Sequence, residues 1–160
     1  MGRWTQFCPF APQKTKDTLP SFDFASVYAH PMDRMAPRLV ALGSILTGSG
    51  VLFGAFGTHY FKARMTAQAL ETYQTAVLYQ LIHGIGIVLI GVLSQTALQS
   101  KLLIGSALCM ACGCLVFCGS LYGYAISEAG AWAIPAPVGG LLLMIGWLLA
   151  ASSAVSSARS

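Results

Sequence analysis

The sequence predicts an all-α integral membrane protein, a bundle of four transmembrane helices preceded by an irregular, proline-rich N-terminal extension. Three observations predict it. Of 160 residues, 56% are hydrophobic and only 9% charged; a soluble domain carries about 25% charged residues, so this chain has too few to coat a water-facing surface. Its mean hydropathy of +0.68 agrees. The apolar residues also gather into four runs that approach or exceed about 18 residues, the length needed to cross a bilayer as a helix.

The extension covers residues 1–38. It holds five of the seven prolines, five of the nine basic residues and three of the five acids. Proline at that density removes amide donors and favours an extended chain over a long helix. Its aromatics, Trp4, Phe7, Phe10, Phe22, Phe24 and Tyr28, suit a membrane interface or a partner surface. Asp17, Asp23 and Asp33 break the acid-poor pattern of a mitochondrial transit peptide, and no stretch is apolar enough for a secretory signal. Met35 is a second candidate start of translation.

The membrane domain is expected over 39–151. The first span, 39–57, is uncharged and glycine-rich, and Gly50 and Gly54 form a GxxxG pair that lets a second backbone approach. The only sizeable connection follows, with His59, Lys62, Arg64 and Glu71. Thr66 is placed to cap a helix starting at Ala67, which runs on into the second span, 74–93. A short polar turn leads to Lys101 and the third span, 102–126. The fourth, 131–151, carries Pro135 and Pro137 near its beginning, where proline is tolerated. Residues 152–160 read as a polar tail.

The net charge of +4 reads as topology information, not as a nucleic-acid footprint. With four spans, Arg3, Lys14, Lys16, Arg34, Arg38, Lys101 and Arg159 share one side, and only Lys62 and Arg64 lie on the other. The positive-inside rule then puts both termini in the cytoplasm or its organellar equivalent.

Polar groups inside the spans are the places to look for chemistry, because lipid penalises them. On the second span Thr72, Ala76, Tyr79, Gln80, His83 and Ile87 fall within about a 100° sector of a helix. Gln80 and His83 should therefore point into the bundle, either as a proton relay or solute site or as hydrogen-bonded glue between helices. Glu71 fits an edge salt bridge. His59 and His83 invite a haem or metal reading, but a straight helix sets His83 about 13 Å deeper than Gln74, far from an interfacial His59. Cys109, Cys112, Cys114 and Cys118 mimic a cluster motif. Cys114 and Cys118 share a face opposite Cys109 and Cys112, so they read as packing residues and not as a metal site. Gly105, Cys109 and Gly113 make one small-residue column, and Gly119 and Gly123 another. No catalytic triad, carboxylate pair, phosphate loop or dinucleotide fingerprint can be assembled. No cofactor is expected.

Three blocks occur together. Gly54-Ala55-Phe56-Gly57-Thr58-His59 closes the first span. Glu71 through His83 (ETYQTAVLYQLIH) leads into the second. Phe117-Cys118-Gly119-Ser120-Leu121-Tyr122 lies in the third, followed by Pro137-Val138-Gly139-Gly140 and Gly146-Trp147 in the fourth. Their order and spacing resemble the domain of unknown function 423 family of small membrane proteins, which includes YgdD-like and YwdK-like proteins and transmembrane protein 256, over about 39–151. The chain departs from the family pattern at Cys118 and Ala136, where the family has hydroxyl side chains. The resemblance adds Ser120 to the polar candidates and Gly139 and Gly140 to the packing glycines. It implies a multi-pass protein of a bacterial inner membrane or an organellar membrane, and no reaction.

The expected function is therefore a structural, accessory or assembly component without catalytic activity, in contact with lipid and with other membrane subunits or a second copy through small-residue helix faces. The alternatives are a small-solute or proton transporter using the second-span stripe, and a haem-binding redox protein.

Overall fold

The computed structural model describes residues 35–95 and 101–157, and the expectations for residues 1–34 lie outside them. The described residues form four long helices and no strand: α1 Met35–Phe56, α2 Ala67–Leu93, α3 Lys101–Ser127 and α4 Ala136–Ser157. A π turn, Gly57–Phe61, extends α1, and a 3-10 turn, Gly130–Ala133, precedes α4. Each is long and apolar enough to cross a membrane.

Several boundaries differ from the sequence expectation. α1 begins at Met35 and includes Pro37, because a first-turn proline costs no intrahelical bond. The fourth helix starts at Ala136, not near 131, since Pro135 interrupts the chain after the 3-10 turn. It then continues to Ser157 through the expected tail. Its serine hydroxyls are satisfied within the helix by bonding back to carbonyls one turn earlier, Ser152 Oγ to Leu148 O (2.8 Å) and Ser156 Oγ to Ser152 O (2.9 Å). Residues 158–160 lie outside the description.

Thr66 caps α2, its Oγ1 accepting from the Ala69 amide at 3.2 Å. The same hydroxyl donates to Glu128 Oε1 at 3.2 Å. Glu128 ends α3 in the left-handed region, φ 52°. The 62–66 loop and the α3–α4 connection thus meet at one end of the bundle.

The helices pack in chain order, α1 on α2, α2 on α3 and α3 on α4, with slight contact between α1 and α3. The buried share of each span follows, 50% for α2 and 44% for α3 against 17% and 22% for the outer spans. A core of Leu39, Leu46, Ile87, Ile90, Leu103, Ala107 and Met110 joins the first three helices. Ala76, Cys114, Cys118 and Leu143 form a second.

Small residues at seven-residue spacing set the two hairpins. Ala36, Gly43, Gly50 and Gly57 lie along α1 and its π turn, and Gly84 and Gly91 along α2. Ser106, Gly113 and Ser120 follow on α3, then Gly139, Gly146 and Ser153 on α4, and every one is buried. A repeat of seven keeps a helical seam facing its partner, and small side chains let the backbones close. A Cβ on Gly43 would lie 2.6 Å from Gly84 O and 2.7 Å from Val88 N. One on Gly113 would lie 2.9 Å from Leu143 N.

The packing glycines expected from sequence divide accordingly. Gly50 and Gly54 face α2 side chains, Leu81 and Val77, rather than backbone. Gly139 meets the Phe117 backbone, Gly140 touches only the Phe117 ring at 3.8 Å, and Gly123 is covered by Trp132. Gly119 meets nothing within 4 Å, so it does not join Gly123 in a contact column. Gly105 has only the Leu149 side chain at 3.8 Å, whereas Gly113 is clamped by α4. The four-residue pattern failed there because the seam repeats every seven residues.

Candidate functional site

The best-defined polar centre is built around Gln80. Its helix turns it inward, and it is 5% exposed. The amide nitrogen donates to Leu46 O at 3.0 Å and to Ser49 Oγ at 2.8 Å, both on α1. The amide oxygen accepts from Tyr122 Oη on α3 at 2.9 Å. A carbonyl only accepts, which fixes the amide's orientation. One side chain therefore ties three helices. Ser49 Oγ also donates to Leu46 O at 3.0 Å.

Aromatic rings lie towards the 62–66 end of this centre. Tyr73 Oη donates to Phe53 O at 2.9 Å. The Tyr122 ring stands edge-on to Tyr73 and Phe53, at 5.0 and 5.2 Å. The π turn allows this, since a wider turn swings Tyr60 and Phe61 off the α-helical positions. Phe61 lies 5.2 Å from Tyr73. Gly57 makes room, for a Cβ there would sit 2.8 Å from the Tyr73 ring.

Two openings flank the centre. A cleft of ≈380 Å³ is lined by Phe53, Phe56, Tyr60, Phe61, Tyr73, Tyr122 and Ile126. A cavity of ≈250 Å³ lies deeper, beside Ser49, Gln80, Cys114, Cys118 and Gly119. Phe53 and Tyr122 border both, so the openings adjoin between α1 and α3.

His83 belongs to a different neighbourhood. It is 5% exposed and its Nδ1 lies 2.7 Å from Tyr79 O. A carbonyl cannot donate, so Nδ1 carries a proton and is the donor. Its ring neighbours are Tyr79 at 5.8 Å and Trp147 of α4 at 6.2 Å. Gln80 thus faces α1 and α3, whereas His83 faces α4.

Of the other candidates only Tyr79 lies against either of these two, beside His83. His59 lies exposed on the π turn, and Glu71 is exposed on the first turns of α2. Thr72 bonds back to Gln68 O at 2.9 Å. Tyr79 is partly exposed, and its ring lies tilted against Phe117 at 4.7 Å. Ser120 is buried, and its Oγ donates to Val116 O at 2.7 Å on its own helix. A single cluster containing all seven is therefore not formed; the 100° sector measured angle on one helix and ignored which neighbour covers it. Cys114 and Cys118 are buried with sulfurs 3.7 Å apart, while Cys112 is exposed. Among the described residues no three His, Cys, Asp or Glu side chains converge as a metal site.

Sequence reasoning missed Ser49, Tyr73 and Tyr122 as site residues. Ser49 had a signal, a hydroxyl interrupting the apolar run of α1 at the depth of Gln80. Tyr122 stood in the third familiar block without a role.

Comparison with known proteins agrees with this architecture. The family model described as a protein of unknown function (DUF423) matches residues 53–140. The chain is 34% identical over 110 residues to a UPF0382 membrane protein of Staphylococcus haemolyticus, covering 69% of this chain and 88% of that one. It is 35% identical over 126 residues to the UPF0382 inner membrane protein YgdD of Escherichia coli K12, covering 78% of this chain and 95% of that one. No solved structure matches. A matched segment that takes in the π turn, Gln80 with Tyr122 and the Phe117–Gly139 contact, with relatives matched over most of their length, makes this chain a multi-pass membrane protein of the DUF423 family.

Proposed function

We propose that this protein is a non-catalytic membrane component with a structural or assembly role, acting beside other membrane subunits or a second copy of itself. The observation that carries the reading is the fate of the buried polar groups. Gln80 is spent on Leu46, Ser49 and Tyr122. Ser106 Oγ donates across to Gly146 O at 2.7 Å. Among the described residues no buried side-chain nitrogen or oxygen is left without a partner. Such groups hold helices to one another and leave little to act on a substrate. A relay along α2 would need Gln80 and His83 to share a path, and they face different helices.

Purification of the full chain from its membrane in mild detergent, followed by native mass spectrometry, tests the reading. The expected result is an assembly larger than one chain. A stable monomer that carries no partner through purification sinks it.

A further inference from the structure

The aromatic cleft between α1 and α3 has no role in the reading above. Its lining is apolar except for tyrosines, and Tyr73 and Tyr122 turn their hydroxyls onto Phe53 O and Gln80. Of the lining side chains, only Tyr60 then keeps a hydroxyl for a polar ligand to read. The cleft lies at the 62–66 end, where α1 gives way to the π turn, and π turns recur where a helix is reshaped for function. Its ≈380 Å³ falls in the range of ligand pockets, which are mostly apolar and aromatic with a few placed polar groups.

The polar group lies at the mouth. The Arg64 guanidinium sits 4.1 Å over the centre of the Tyr60 ring, and one of its nitrogens donates to Tyr60 O at 3.1 Å. These contacts hold an exposed cation on a cleft-lining residue. Lys62 is exposed beside it. Among the described residues neither cation is ion-paired. Apolar space with a held positive charge beside it is complementary to an anionic amphiphile.

We propose that this cleft is a binding site for one anionic phospholipid, with an acyl chain against Phe53, Phe56 and Ile126 and its phosphate group on Arg64 and Lys62. The proposal is independent of the assembly role; either can fail alone.

The test is a titration of the full chain in detergent with phosphatidylglycerol and with phosphatidylcholine of identical chains, read as bound lipid by native mass spectrometry. The chain should take one phosphatidylglycerol in preference to phosphatidylcholine. Arg64→Ala should weaken phosphatidylglycerol binding about fivefold, as expected for one interfacial cation, and leave phosphatidylcholine unchanged. Ile126→Trp, which fills the cleft from an exposed position, should weaken both lipids. Equal binding of the two lipids by the wild-type chain overturns the proposal. So does an Arg64→Ala chain that keeps the preference, or an Ile126→Trp chain that binds both lipids as before.

Discussion

The two hairpins are built on one plan and finished differently. α1–α2 and α3–α4 both close backbone to backbone on small residues seven apart, Gly43 against Gly84 and Gly113 against Leu143. In the second hairpin Trp132 folds over Gly123, and a small hydroxyl, Ser106, donates across to the Gly146 carbonyl. The first carries Gln80, Ser49 and Tyr73, ends in a π turn, and leaves an aromatic cleft beside it. The difference teaches that small-residue seams make the hairpins, whereas polar and aromatic side chains decide how a hairpin meets the rest of the bundle.

The largest test strikes what the hairpins share. Gly43→Leu and Gly139→Leu each force a side chain into a neighbouring backbone, and each should cost roughly 3 kcal/mol or more, read by thermal or denaturant unfolding in detergent. A mild loss in either would mean that its seam is not backbone-limited.

The second strikes what they do not share. Gln80→Leu should cost about 2 kcal/mol, three interhelical bonds at roughly 0.6 kcal/mol each. The loss should fall on the α2–α1 and α2–α3 contacts that Gln80 bridges, so a crosslink from α2 to either neighbour should weaken while one between α3 and α4 holds. Equal loosening of the α3–α4 crosslink would merge the hairpins into one cooperative unit.

The smallest concerns Gly119, in the same helix as Gly113 but facing open space. Gly119→Ala should change stability by no more than about 0.5 kcal/mol in the same assay. A loss of several kcal/mol would show that this face is covered by something, a second copy or another subunit.

Much of this was legible in the chain. Four uncharged runs named the helices, and Thr66 marked the start of α2. Gln80 and His83 were read as inward-facing because hydrocarbon has no partner for an amide or imidazole, and both are buried. Other features were not legible. A seven-residue column such as Gly139, Gly146 and Ser153 is plain once the partner helix is known, but in a glycine-rich chain it competes with GxxxG pairs such as Gly50 and Gly54. The C-terminal serines looked like a tail because composition does not reveal back-bonding to Leu148 and Ser152.

By itself, then, the sequence determined that the membrane domain is all-helical, lies in a bilayer and spans it four times. Those outcomes depend on local quantities, the length and polarity of each run and the need of every backbone amide for a partner within its own segment. Only the tertiary structure decided which helix each inward side chain meets. It parted Gln80 from His83, sent His59 and Glu71 to the surface, and opened the cleft at the π turn. The physical reason is that one helix's periodicity fixes the direction of a side chain, whereas its partner is set by how closely two other backbones approach.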